Sequence, residues 1–129
     1  MAYTNAGLSP DGSSTYFMPR KIGDRRTREL MLTNRVLSAD EALDWGVVNK
    51  VVVKNALMDE TMKLAIKLSQ GPSLAYGNVK KLLDSSFTQS LETQMELEAR
   101  AISEMVLTED GQEGINAFLE KRKPTFKGK

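Results

Sequence analysis

The chain has 129 residues, with 18 basic and 17 acidic side chains and a net charge of +1. This balance and the 40% hydrophobic fraction are typical of a globular domain, not of a nucleic-acid or membrane binder. The sequence has neither cysteine nor histidine, which excludes disulfides and thiol chemistry and removes the commonest general base and metal ligand. No apolar run approaches membrane-spanning length and no signal pattern is evident, so we expect a cytoplasmic or organelle-matrix protein.

The first segment predicts a turn followed by a short helix. Pro10-Asp11-Gly12 has turn chemistry, because proline presets the first turn dihedral and glycine closes the turn. Tyr16, Phe17 and Met18 then predict a short helix that Pro19 either interrupts or carries in its first turn.

A second helix is predicted from residue 25 to about residue 33, with Asp24 as its N-cap. Arg25, Arg26 and Arg28 cluster at its N-terminal end, where the helix dipole disfavours cations. The cluster is either a solvated face or a site for an anionic ligand or a partner's carboxylate, and the sequence leaves both open.

Residues 38–53 predict a capped helix followed by a strand. Ser38 and Glu41 form an S-x-x-E capping box, and Gly46 is a left-handed helix stop. The β-branched run from Val47 to Val53 predicts a short strand. A lone strand is poorly stable without a neighbour, so we expect this sequence to be part of a larger domain.

Apolar side chains at helical spacing predict four further helices, separated by polar or glycine-proline breaks. They cover about residues 56–70, 73–85, 90–106 and 108–122. Pro124 ends the last of them, and we expect the tail from Thr125 to be frayed. The fold class predicted from the residues is therefore mainly α, with one or two short strands.

Three blocks of sequence resemble the enoyl-CoA hydratase/isomerase (crotonase) superfamily, in the family's order. They are G-L-S-P-D-G-S-S-T-Y-F-M-P-R-x-I-G at residues 7–23, LTNRVLSADEAL-x-WGVVNKVV at 32–52, and E-G-I-N-A-F-L-E-K-R-K-P-x-F at 113–126. The resemblance covers essentially all 129 residues but only the C-terminal half of a crotonase-type α/β domain, a spiral of β-β-α turns. It implies that residues 1–53 end the spiral core and that residues 54–129 form a helical oligomerisation region.

The resemblance also implies an activity. Family members bind an acyl-CoA thioester and stabilise its enolate with backbone N–H groups from the N-terminal half, so the isolated chain is expected to be inactive. Coenzyme A is then part of the substrate, and no separate cofactor is expected. The family resemblance implies trimers or hexamers (dimers of trimers). The alternative is a non-catalytic helical fragment that only mediates oligomerisation.

Asp11 is the candidate catalytic residue. From spacing alone it is a turn residue, but S-P-D-G-S-S-T-Y resembles the Δ3,Δ2-enoyl-CoA isomerase-like branch, in which the acid at this point shuttles the proton. Family hydratases carry a glutamate eight residues earlier, where this chain has Ala2-Tyr3. The resemblance therefore favours double-bond isomerisation, with hydration as the alternative.

Three residues are candidates for substrate binding. In the family, residues matching Phe118 and Lys121 reach the adenine and phosphates of coenzyme A, and their spacing predicts a shared face of the last helix. From the residues alone, Phe118 could instead be core and Lys121 solvated. Tyr16, with Phe17, is expected to line a pocket or the core.

Overall fold

The computed structural model describes residues 2–129, and its regular elements are helical. Seven α-helices follow one another along the described residues: α1 (Ser14–Ile22), α2 (Asp24–Thr33), α3 (Ala39–Asp44), α4 (Leu57–Ser69), α5 (Ser73–Ser86), α6 (Leu91–Val106) and α7 (Glu109–Leu119). Short 3₁₀ turns occupy Thr4–Ala6 and Lys54–Ala56. The mainly α prediction is confirmed.

The chain divides into two compact units, Met1–Ala56 and Leu57–Lys129. In the first unit α1 packs against α2. Ile22 and Leu30 are its buried apolar side chains. In the second unit α6 packs against both α5 and α7. Ala117 of α7 is buried there.

Three helices begin where the sequence places a hydroxyl cap. Ser38 accepts the N–H of Glu41, and the Glu41 carboxylate accepts the Ser38 N–H at 3.0 Å, which completes the predicted capping box. Ser90 and Thr108 accept the third backbone N–H of α6 and α7 in the same way. Each bond satisfies an otherwise unpaired N–H of the first turn.

The predicted strand at residues 47–53 is wrong, since residues 2–129 contain no strand. Gly46 adopts φ +73°, and the N–H groups of Val47 and Val48 then both bond the carbonyl of Ala42. These bonds fold the segment back on the end of α3. No other extended segment of the described chain pairs with it, and a strand needs such a partner.

Pro19 and Asp24 occupy different positions from those predicted. Pro19 lies inside α1 and does not interrupt it. It removes one intrahelical donor, but the helix is short and Gly23 still bonds the Pro19 carbonyl. Asp24 is the first residue of α2 and not its cap, and its carboxylate pairs with Arg28 at 2.7 Å.

The last helix is shorter than predicted, and the tail beyond it is not frayed. α7 ends at Leu119, and Lys121 lies outside it in a left-handed conformation (φ +54°). The N–H groups of Lys127 and Gly128 donate to the Asp110 carboxylate at 2.7 and 2.9 Å. Backbone–carboxylate bonds of this kind join residues distant in sequence, so local composition did not predict them.

Candidate active site

Asp11 lies in an ordered turn at the start of α1. Gly12 and Ser13 both have positive φ, at +59° and +61°, which reverses the chain before the helix begins. The N–H and the hydroxyl of Ser14 donate to the Asp11 carbonyl at 3.1 and 2.8 Å. The Asp11 side chain is exposed. The backbone of Asp11 is thus fixed while its carboxylate stays accessible.

Tyr3 is a residue of this site that the sequence analysis missed. Its hydroxyl donates to Oδ1 of Asp11 at 2.7 Å. The adjacent carboxylate raises the pKa of the Tyr3 phenol, because ionisation would end this bond and place two negative charges together. From the sequence, position 3 is notable only because it lacks the glutamate of family hydratases. A separation of eight residues carries no local signal for such a contact.

Tyr16 lies on α1, in the same unit as Asp11. The guanidinium of Arg20 stacks 3.6 Å from the centroid of its ring, and the Phe17 ring meets it edge-on at 5.1 Å. About a third of Tyr16 remains exposed. Its ring can therefore present one aromatic surface while Arg20 covers the other.

Phe118 and Lys121 lie in the second unit, and the structure does not place them on one helical face. Phe118 is on α7 with 83% of its surface exposed, at the edge of an apolar cavity of about 390 Å³. Lys121 follows the end of the helix, where its N–H bonds the Phe118 carbonyl. The relative position of the two side chains is therefore set by the left-handed backbone at Lys121 and not by helical periodicity.

The C-terminal tail forms one wall of this cavity. Glu113 on α7 binds Arg122 through two hydrogen bonds of 2.6 and 2.8 Å and accepts the N–H of Thr125. Phe126 then packs against Gly114, where an added Cβ would already contact the Phe126 ring. The Arg122 guanidinium and the Thr125 N–H lower the pKa of Glu113 to about 2.

The arginine cluster of α2 is partly engaged within the unit. Arg28 pairs with Asp24, while the guanidinium of Arg26 lies 4.6 Å from the Trp45 ring centroid. Arg35 contacts Trp45 at 5.0 Å and also binds Glu29 and Glu41. These contacts attach α3 to α2, which is a structural role.

Within residues 2–129, no helix is both long and apolar enough to cross a membrane. No three carboxylates in this part of the chain come together as metal ligands would.

The sequence and the helical fold both correspond to one family of proteins. The family model for enoyl-CoA hydratase/isomerase matches residues 1–129, and the chain belongs to that family. It is 37% identical to the 1,2-epoxyphenylacetyl-CoA isomerase of Escherichia coli K12, over 100% of this chain and 49% of that protein. It is 35% identical to the crotonyl-CoA hydratase of Syntrophomonas wolfei, over 93% of this chain and 46% of the relative.

A solved structure agrees with these relatives. The enoyl-CoA hydratase subunit I of Geobacillus kaustophilus HTA426 superposes with a TM-score of 0.92 and 38% identity. The match covers 99% of this chain and 50% of that one. The chain thus spans about half the length of the relatives it matches, and the matched half of the family fold is helical.

Proposed function

We propose that the protein acts on acyl-CoA thioesters and moves a double bond by proton transfer, with Asp11 as the acid/base. The observation that carries this proposal is the exposed Asp11 carboxylate on a fixed turn, with a phenol beside it. One carboxylate suffices for a 1,3-proton shift, because the proton taken from one carbon is returned to another.

Three other residues are assigned to substrate binding. Phe118 and Lys121 contact the adenine and a phosphate of coenzyme A, as the family resemblance implies. The exposure of Phe118 at the mouth of an apolar cavity supports this assignment. Tyr16 lines the acyl pocket with the ring surface that Arg20 leaves uncovered.

Hydration is the second candidate reaction, because one of the relatives is a crotonyl-CoA hydratase. Adding water to a double bond calls for a group that activates the water as well as an acid for the carbon. Tyr3 stands where the resemblance implies the second glutamate of hydratases, and its phenol donates a hydrogen bond to Asp11. This favours isomerisation.

Assembly into a homo-oligomer, a trimer or hexamer, is the remaining part of the proposal. The groove between α5 and α6 exposes the apolar side chains of Leu83 and Ile102 by 62% and 66%. An exposed apolar groove of this kind is suited to being covered by further protein. Light scattering across micromolar concentrations tests this, and a strict monomer would contradict it.

The test of the reaction uses a chimera, in which the unmatched half of the E. coli isomerase precedes this chain. We expect the chimera to isomerise 3-enoyl-CoA, while the 129-residue chain alone shows negligible turnover. The resemblance assigns the oxyanion-hole donors to the other half of the family fold, and each such donor contributes about 3–4 kcal/mol.

Asp11→Asn in the chimera separates catalysis from turn formation. Asparagine keeps the size and turn preference of aspartate but cannot take up the proton. We expect kcat to fall at least about 10²-fold with little change in acyl-CoA binding. Unchanged turnover in a folded mutant would rule out the catalytic role.

A further inference from the structure

The backbone of Tyr3 is held independently of Asp11. Its carbonyl accepts the N–H groups of Ala6 and Leu8 at 2.9 and 3.0 Å, which closes the first 3₁₀ turn. The hydroxyl of the next residue, Thr4, donates to the carbonyl of Met31 on α2 at 2.8 Å. The segment that carries Tyr3 is therefore attached to α2.

Asp11 has its own anchor in Ser14 at the start of α1, as described above. The 2.7 Å contact thus joins two side chains whose backbones are fixed by separate hydrogen bonds. A contact between two residues with fixed backbones is partly pre-organised, because only side-chain and not backbone conformational entropy is lost in forming it.

We propose that Tyr3 is a positioning residue for Asp11: its phenol holds Oδ1 and orients Oδ2 toward the substrate carbon. This inference rests on the function proposed above and extends it to a second residue. Oδ2 takes the proton as the C–H electron pair passes into the enolate, and then returns the same proton to the other carbon. The phenol keeps its own proton throughout, so the step needs no further reactant.

The pair also bears on the choice of reaction. A phenol whose pKa is raised stays protonated at neutral pH and acts as a donor. It cannot serve as the base that activates water. Tyr3 therefore makes the site a single-base site, which is suited to proton shifts along an acyl chain and not to hydration.

The first arm of the test titrates the tyrosines of the chain itself, by NMR with labelled Cζ or by ultraviolet absorbance. The chain has three tyrosines. We expect one phenol to titrate above its ordinary value, to vanish in Tyr3→Phe, and to move back toward that value in Asp11→Asn. Tyr76→Phe is the matched control and should leave this phenol in place. Identical Tyr3 titration in the parent chain and in Asp11→Asn would overturn the inference.

The second arm is a double-mutant cycle in the chimera at neutral pH. Tyr3→Phe should lower kcat about tenfold with KM little changed, the kinetic equivalent of one charge-assisted hydrogen bond. In an Asp11→Asn background the same substitution should have no further effect, because Tyr3 acts only through the carboxylate. Equal losses in both backgrounds would overturn the positioning role.

The two failures are distinguishable. If Asp11→Asn keeps full turnover, the proposed function is wrong and the positioning role falls with it. If Asp11→Asn loses turnover but Tyr3→Phe matches the parent chimera, only the role of Tyr3 is wrong.

Discussion

Lys127 and Asp110 are 17 residues apart in sequence, yet the N–H of Lys127 donates to the Asp110 carboxylate at 2.7 Å. The same carboxylate accepts the N–H of Gly128, and the N–H of Asp110 bonds the carbonyl of Lys129. Asp110 is only 4% exposed. One buried side chain on the first turn of α7 thus fixes the end of the chain.

Asp110→Asn should loosen the tail. The amide keeps a single acceptor oxygen, so one of the two tail N–H groups loses its partner. A buried hydrogen bond to a charged group contributes about 1.5–3 kcal/mol, and we expect amide exchange at Lys127 and Gly128 to accelerate at least about tenfold. Hydrogen exchange followed by NMR measures this.

The control for that experiment is Glu109→Gln, one residue earlier in α7. Glu109 is exposed and its carboxylate lies 4.0 Å from the Lys127 ammonium group, so Glu109→Gln should leave amide exchange in the tail nearly unchanged. Equal exchange rates in Asp110→Asn and the parent chain would contradict the role of Asp110.

Glu113→Gln should make stability depend less on acidic pH. The folded-state pKa of Glu113 is about 2, below its ordinary value of 4.5, so its contribution is present above pH 4.5 and is lost as the pH falls toward 2. The thermal midpoint of the parent chain should exceed that of the mutant at neutral pH, and the gap should close between these two pH values.

Glu96→Gln provides the comparison for Glu113. Glu96 also pairs with an arginine, Arg100 on the next turn of α6, but it holds no tail segment. An exposed ion pair of this kind contributes little to the free energy of unfolding, so Glu96→Gln should change the thermal midpoint little at any pH. A gap between the parent chain and Glu113→Gln that stays constant down to pH 2 would show that the ion pair is not its source.

Lys121→Ala in the chimera should raise KM for acyl-CoA and leave kcat nearly unchanged. A cation that contacts a phosphate far from the reacting carbons adds uniform binding, which affects KM alone. Lys123→Ala, two residues on, is the control. A fall in kcat at constant KM would remove Lys121 from the binding role.

The features that sequence predicted well are those set by neighbours in the chain. The caps at Ser38, Ser90 and Thr108 each bond an N–H three residues away, so residue type and spacing suffice to predict them. The turn at Asp11 follows from proline and glycine chemistry in the same manner. The family itself was evident from three such local blocks.

Tertiary structure alone decided the remaining features. The strand expected at residues 47–53 depended on a partner, and without one in the described chain the segment turned back on Ala42. The carboxylates of Asp110 and Glu113 hold the tail in place by accepting its backbone N–H groups. In the candidate site, Tyr3 contacts Asp11, which lies eight residues further along the chain. The tail contacts and the Tyr3–Asp11 pair join groups that are eight or more residues apart, and no sequence periodicity predicts contacts over such separations.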